Sequence, residues 1–244
     1  MNLLAFDTST EAMSIAVSRG DALWQHNGVG GAATSATLIP AILALMAQAG
    51  LTFADLACIA FGRGPGSFTG LRTACSVAQG LALGAENGTG DPLLVLPIDT
   101  LLAVAEEARH QHGTRQVVAM LDARMDEIYC ASYDFDNGIS WMDVLPTLVK
   151  PEAVPRTSGW AYAGNTLNAY SERLPTGLPH FTVLPTAAAL LRLAPALLAA
   201  GQAVRADDAL PRYIRDKVAS TTSEREAAKA ATVSSSSQTP LTTL

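Results

Sequence analysis

Charge is what this sequence has least of. Lys, Arg, Asp and Glu together make up 16% of its 244 residues, against about 25% in an average soluble protein. The deficit is local. Residues 1–100 hold three basic and seven acidic residues, and residues 22–54 hold none of either sign. With 16 basic against 22 acidic residues the net charge is −6, which excludes a broad basic footprint for nucleic acid. Only three cysteines occur, Cys58, Cys75 and Cys130, and they form no CxxC pair. Reduced thiols packed in the core of a cytoplasmic protein are expected. The four histidines form no HxxxH or HExxH. His110 and His112 are two apart and fall on different faces of a helix, so no bound metal is expected.

Long hydrophobic runs are also missing. The uncharged stretch contains Gly28, Gly30, Gly31, Thr34, Ser35, Thr37 and Pro40. Its longest apolar run, Leu38 to Ala47, is about half the ~20 residues a membrane span needs. The N-terminus, MNLLAFDTST, has no basic leader or cleavage site, so no signal peptide is expected.

The pattern that remains is α/β. Leu3-Leu4-Ala5-Phe6 reads as a strand ending at Asp7. The polar turn Thr8-Ser9-Thr10 follows, and Met13, Ile15 and Val17 alternate as a second strand. Residues 35–49 have helical length, with Pro40 best placed in the first turn. A strand over 57–61, a Gly-rich loop, a helix over 70–84 and a strand over 93–97 come next. Asp99-Thr100 can cap a helix running to His112. The pattern then restarts. Val117 to Leu121 is a strand ending at Asp122, a polar turn follows, and 127–133 is the second strand of a hairpin. This repetition predicts two similar lobes with parallel pairing in each sheet. Strands over 143–149 and 160–163 and a helix over 186–200 complete the reading. The lobes are expected to span 1–102 and 103–216. The Ser/Thr/Ala-rich residues 217–244 are expected to be disordered.

The most specific stretch is Gly62-Arg63-Gly64-Pro65-Gly66-Ser67-Phe68-Thr69-Gly70-Leu71-Arg72. It joins a strand to a helix, where Ser67 or Thr69 can cap, and such a place can bind an anion. It is not GxGxxG, because positions 67 and 69 are Ser and Thr. It is not Walker A, because no lysine precedes Lys150. It is not GxSxG, because position 65 is Pro, so Ser67 is not a nucleophile on a strained elbow. Spacing favours a structural turn over a phosphate cradle. Arg72 near the helix N-terminus is disfavoured by the helix dipole, which predicts an anionic partner. Asp99 or Glu86 is the nearby choice, and an acid on another protein or a phosphate is the remote one. Asp7, Thr8, Ser9 and Thr10 could form a vestigial phosphate loop or simply an Asx-turn. The second copy carries Asp126 and Glu127, which would repel a triphosphate.

Helix 35–49 has no charge on any face, and helix 70–84 has only Arg72. A surface helix should show a polar stripe. Both helices are therefore expected to be covered twice, by their own sheet and by a second subunit. Leu38, Ile39, Ile42, Leu45 and Met46 of the first and Arg72, Cys75, Ala78, Gln79 and Ala82 of the second are the expected partner contacts. Leu45 and Leu81 are the positions at which to test them.

GRGPGSFTGLR, LLAFDTSTEA, LDARMDEIY and the late Pro211-Arg212-Tyr213-Ile214-Arg215 together resemble the TsaB (YeaZ) family over residues 1–216. The resemblance implies a two-lobed actin/Hsp70-like ATPase architecture, ribonuclease H-like, with duplicated lobes and mixed sheets flanked by helices. It implies a non-catalytic subunit in threonylcarbamoyladenosine synthesis on tRNA. The partners it implies are a TsaD-type catalytic subunit, met through helices of the N-terminal lobe, and a TsaE-type ATPase, with a homodimer when the chain is alone. Transfer chemistry and metal belong to TsaD, tRNA is met only through the complex, and no cofactor is expected on this chain. ATP or ADP is left to the interface of the complex. One departure is Thr34, which stands roughly where many members carry a histidine. The rival reading is a stand-alone ATP-binding protein or weak ATPase of the actin/Hsp70 class, using Asp7 and its hydroxyl turn.

Overall fold

An unbroken apolar run such as Leu3–Phe6 needs cover on both of its faces, and the fold places it at the centre of a sheet. In the computed structural model, which describes residues 1–31, 34–85, 90–136 and 140–215, β1 (Asn2–Asp7) pairs antiparallel with β2 (Ala12–Arg19) and parallel with β4 (Cys58–Gly64). With β3 (Ala22–Val29) and β5 (Leu94–Asp99) the order is β3-β2-β1-β4-β5. The second sheet holds β6 (Gln116–Arg124), β7 (Glu127–Asp134), β8 (Thr147–Val149), β9 (Ala161–Gly164) and β10 (His180–Thr182). Its order is β10-β9-β6-β7-β8, the same plan strand for strand. The β6–β7 hairpin is antiparallel and the β6–β9 and β9–β10 pairs are parallel. Asp7 and Asp122 occupy matching places. Asp7 Oδ1 accepts from the Ser9 amide at 2.9 Å, and Asp122 Oδ1 accepts from the Arg124 amide at 2.8 Å.

Period-two alternation divides each central strand between two cores. Leu3 and Ala5 of β1 and Val117, Ala119 and Leu121 of β6 face a shared middle layer. That layer is α3 (Thr100–His112) and α5 (Ala187–Ala199). Leu4 and Phe6 face the opposite way, under α1 (Thr34–Ala49) and α2 (Phe68–Leu83). Val118 and Met120 pack with Tyr162 and Leu174 in a third, smaller core.

Within the chain itself, the helices covered on both sides are α3 and α5. Residues Thr100 to Ala108 of α3 are all buried, Glu106 and Glu107 included. The two carboxylates survive there because arginines reach them. Glu106 is bonded by Arg109 and Arg192, and Glu107 by Arg192 at 2.6 Å. Burial pushes the Glu107 carboxyl up, but hydrogen bonds from Thr186, Gln111 and Arg192 outweigh it and hold the group below its usual range.

Several expectations shift. Pro40 lies well inside α1, not in its first turn. Proline offers no N–H to the Ala36 carbonyl one turn before it, and Ala36 is exposed. Only Thr147–Val149 of the strand expected over 143–149 is extended, since Ser140–Asp143 is a 3-10 turn. β3, β10 and the short α4 (Leu167–Tyr170) were not legible in the sequence. The lobe boundary expected at 102 falls inside α3. Met1–Ile214 forms one compact unit. The expected disordered segment, 217–244, lies outside the described residues, as does Glu86.

Candidate functional site

The two loops singled out by the sequence are packed against each other. Between β4 and α2, Pro65, Gly66 and Ser67 run directly over the Asp7–Ser9 turn. Thr8 Oγ1 donates to the Gly70 carbonyl at 2.7 Å, and the Ser67 amide donates to the Ser9 carbonyl at 2.7 Å. A Cβ on Gly62 would stand 1.7 Å from Asp7 Oδ2, one on Gly66 2.5 Å from the Ser9 carbonyl oxygen, and one on Gly70 1.9 Å from the Thr8 carbonyl oxygen. Gly66 and Gly70 admit the backbone of Ser9 and Thr8, and Gly62 admits the Asp7 carboxylate. The Gly-rich loop is thus hydrogen-bonded directly to the Asp7–Ser9 turn. Ser67 stands at the N-cap without a side-chain capping bond, and Thr69 is exposed in the first turn, so neither hydroxyl fills the expected capping role.

Asp7 is buried in this junction. Its Oδ1 also accepts from Ser9 Oγ at 2.6 Å, which closes an Asx-turn. Thr10 Oγ1 accepts from the Ala12 amide at 3.2 Å. Thr100 Oγ1 lies 3.5 Å from Asp7 Oδ2 and accepts from the Gly64 amide at 3.1 Å. Burial raises the Asp7 carboxyl to about 6, against the pull of the Ser9 and Thr100 hydrogen bonds. In the second copy, Asp126 is ion-paired with Arg173 and with Lys150 at 3.8 Å. Among the described residues no group of His, Cys, Asp and Glu could hold a metal ion.

A C-terminal strap then returns to the first sheet. Val204 bridges Val95 through two backbone bonds of 2.9 and 2.8 Å. The Ala209 carbonyl accepts from Gln79 Nε2 at 3.0 Å and Cys75 Sγ at 3.2 Å. Arg212 Nη1 and Arg63 Nε take the two oxygens of Asp99 at 2.6 and 2.5 Å. Asp99 therefore neither caps α3 with its side chain nor serves Arg72. The Arg72 guanidinium instead lies 3.8 Å over the Phe68 ring and donates to Tyr213 Oη at 3.1 Å. Among the described residues an aromatic face and a hydroxyl stand where Asp99 was the nearby choice. Arg212 and Tyr213 are site residues that single-residue reasoning missed; their only signal was the Pro211–Arg215 string.

The expected partner residues divide by face. Leu38, Ile42, Leu45 and Met46 of α1 and Cys75, Ala78 and Ala82 of α2 are buried on the first sheet. Side chains already covered by their own sheet are not available to a partner. The error lies in the direction of the helices. Leu38, Ile42, Leu45 and Ala49 form an i, i+4, i+7, i+11 stripe, and that stripe is the core-facing one. Gln79 is half-buried under the strap. Ile39 and Arg72 do face outward. Leu43 at 49% exposure, Phe68 at 41% and Leu83 at 72% are exposed on the same two helices, interspersed with Ser35, Thr37, Gln48, Thr69 and Ser76, and Arg72 is the only charge on either helix. All three cysteines are buried and unpaired in disulfides, with Cys58 and Cys130 pushed up to about 12 by burial.

Comparison with known proteins places this arrangement. The family model for TsaD, tRNA N6-adenosine threonylcarbamoyltransferase, matches residues 29–155. The tRNA threonylcarbamoyladenosine biosynthesis protein TsaB of Escherichia coli (strain K12) is 34% identical over 229 residues, covering 90% of this chain and 96% of its own length. The chain belongs to the TsaB family. The Haemophilus influenzae TsaB protein is 33% identical over 89% of this chain and 95% of its own. The structure of YeaZ from Pseudomonas aeruginosa matches with a TM-score of 0.77 at 37% identity, over 87% of this chain and 99% of that one. The duplicated mixed sheets are the two-lobed, ATPase-like architecture expected for TsaB. In this TsaB-family chain GPGSFTGLR is the backbone seat of Thr8 and Ser9, and the late Pro-Arg-Tyr string is the strap that clamps Asp99 and covers Arg72.

Proposed function

We propose that this chain is the non-catalytic subunit that binds and activates a TsaD-type threonylcarbamoyltransferase. The reaction is N6-threonylcarbamoyladenosine modification of tRNA next to the anticodon. Family membership supports a part in tRNA threonylcarbamoyladenosine biosynthesis. The observation that supports the finer reading is the outer face of α1 and α2, where Ile39, Leu43, Phe68 and Leu83 are exposed with Arg72 as the one charge. Large apolar side chains left exposed on two helices that carry a single charge suit a contact with another protein. Such a face serves a TsaD-type partner in the cytoplasm and a second copy when the chain is alone. A TsaE-type ATPase joins the complex, and tRNA is held by the complex, since a net charge of −6 suits no phosphate backbone. No cofactor is assigned to this chain; ATP or ADP belongs to the interface of the complex. The rival ATPase reading has less support, because the turn it needs lies in close contact with the backbone at Gly66 and Gly70.

The test moves outward from the buried Leu45 and half-buried Leu81. The Leu43→Asp/Leu83→Asp variant, measured by light scattering with and without a TsaD-type partner, is expected to weaken both assemblies by at least about 30-fold, the cost of roughly 2 kcal/mol at an interface anchor. Its far-UV spectrum should be unchanged. Undiminished assembly in both cases would refute the assignment of this face.

A further inference from the structure

We propose that a notch at the end of the central helix layer binds a small oxyanion, a phosphate or carboxylate carried on a compact apolar group. The cavity measures about 190 Å³ and is lined by Glu106 and Arg109 of α3, Arg192 of α5, Arg115 just before β6, and Phe135 just after β7. Three guanidinium groups thus converge on the notch, with Glu106 in the lining and Glu107 and Asp136 behind two of them. General basicity does not explain this, since the chain has only 16 Lys and Arg and a net charge of −6.

The arginines are set in advance. Glu106 is 2% exposed. Its Oε1 accepts from Arg192 Nε at 2.8 Å and Arg109 Nη2 at 3.0 Å, and its Oε2 accepts from Arg109 Nε at 2.6 Å. One buried carboxylate therefore holds two guanidiniums side by side, and Glu107 balances the second of them. Arg192 Nη2 is anchored further by Glu107 Oε2 at 2.6 Å. Arg115 pairs with Asp136, and both are more than half exposed. Such an exposed pair is worth at most about 1 kcal/mol and exchanges readily for a better anion. Planar guanidinium forks match carboxylate and phosphate oxygens, so the donor set selects an oxyanion.

The rest of the lining selects what carries it. Phe135, with Arg109 Cζ 5.5 Å from its ring centroid, supplies an aromatic wall. Leu193 and Ala196 supply an aliphatic one. The volume is several times the ~30 Å³ of a water molecule, which leaves space for a ring-sized group beside the anion. The notch is remote from the Asp7–Asp122 turns. It lies at the start of β6, whereas Asp122 lies six residues along that strand, roughly 20 Å away at ~3.3 Å per residue. It is also separate from the outer face of α1 and α2, so it stands or falls independently of the subunit assignment.

Phenyl phosphate and benzoate are the probes, titrated calorimetrically into the full-length chain. One site per chain is expected, with phenyl phosphate the tighter of the two because it carries more charge, and with saturation below about 10 mM. Arg115→Met is expected to weaken binding about tenfold without moving the urea unfolding midpoint, since its only carboxylate partner among the described residues is the exposed Asp136. Arg192→Met should abolish binding, and because it strips Glu106 and Glu107 of a partner it should also destabilise the fold. Arg205→Met, whose carboxylate partner is the exposed Asp207, should bind as the parent does. Absence of saturation with either probe, or equal affinity in the parent and Arg115→Met, would overturn the proposal.

Discussion

Gly70→Ala is expected to destabilise the protein by about 3 kcal/mol or more, the upper end of what overpacking costs. The new methyl would sit 1.9 Å from the Thr8 carbonyl oxygen, so backbone must move against backbone. No rotamer change can relieve that, and Thr8 Oγ1 would lose its 2.7 Å bond to the Gly70 carbonyl as the helix start shifted. Gly80, in the same helix, is the matched control. Nothing lies within 4 Å of a Cβ built there. Gly80→Ala should stabilise by about 0.5–1 kcal/mol, because alanine loses less entropy in a helix interior. Urea denaturation of the two variants should therefore shift the midpoint in opposite directions. If Gly70→Ala unfolds at the parent's midpoint, the loop is not seated on the turn as described.

Asp7→Asn is expected to make the protein more stable at neutral pH, by about 2–3 kcal/mol. The carboxyl titrates near 6 in the fold against 3.8 outside it, and each unit is worth about 1.36 kcal/mol. Between those two values the unfolded chain has released its proton while the folded chain retains it. Stability therefore falls as pH rises through this window and levels off above about 6. The carboxamide keeps an oxygen for the Ser9 amide and hydroxyl, carries no charge to desolvate, and offers an N–H to Thr100. Unfolding free energies of parent and variant should converge near pH 4 and separate by pH 7. A difference that does not vary with pH would mean that the Asp7 charge is not the cause.

Much of this fold can be read from apolar runs. Leu3–Phe6 and Val117–Leu121 are uninterrupted because each lies at the centre of a sheet, and a polar turn after each marks a hairpin. The repeat of the two was visible for that reason. β3 was not visible: Gln25, His26 and Asn27 lie on an exposed edge strand whose composition resembles a loop. The direction of α1 and α2 was also hidden. Where no charge marks the outer side, Leu38, Ile42 and Leu45 on the core face cannot be told by type from Ile39 and Leu43 on the outer one. The Gly-rich loop was legible as special, but its occupant was not, because Thr8 lies 62 residues from Gly70. Likewise nothing near Arg72 announces Tyr213, 141 residues away.

The shared middle layer has a consequence for how the repeat can behave. A duplicated chain could in principle keep two independent halves, each able to melt or hinge by itself. Here α3 and α5 supply one wall to both sheets, and a single apolar cluster runs from Leu3 and Ile98 through Leu101 and Leu190 to Val117 and Tyr133. A cut within α3 would strand half of that cluster in water on each side. The two copies have become mutually obligatory, and the described unit is built to melt in a single cooperative step, as one folding element with an internal echo.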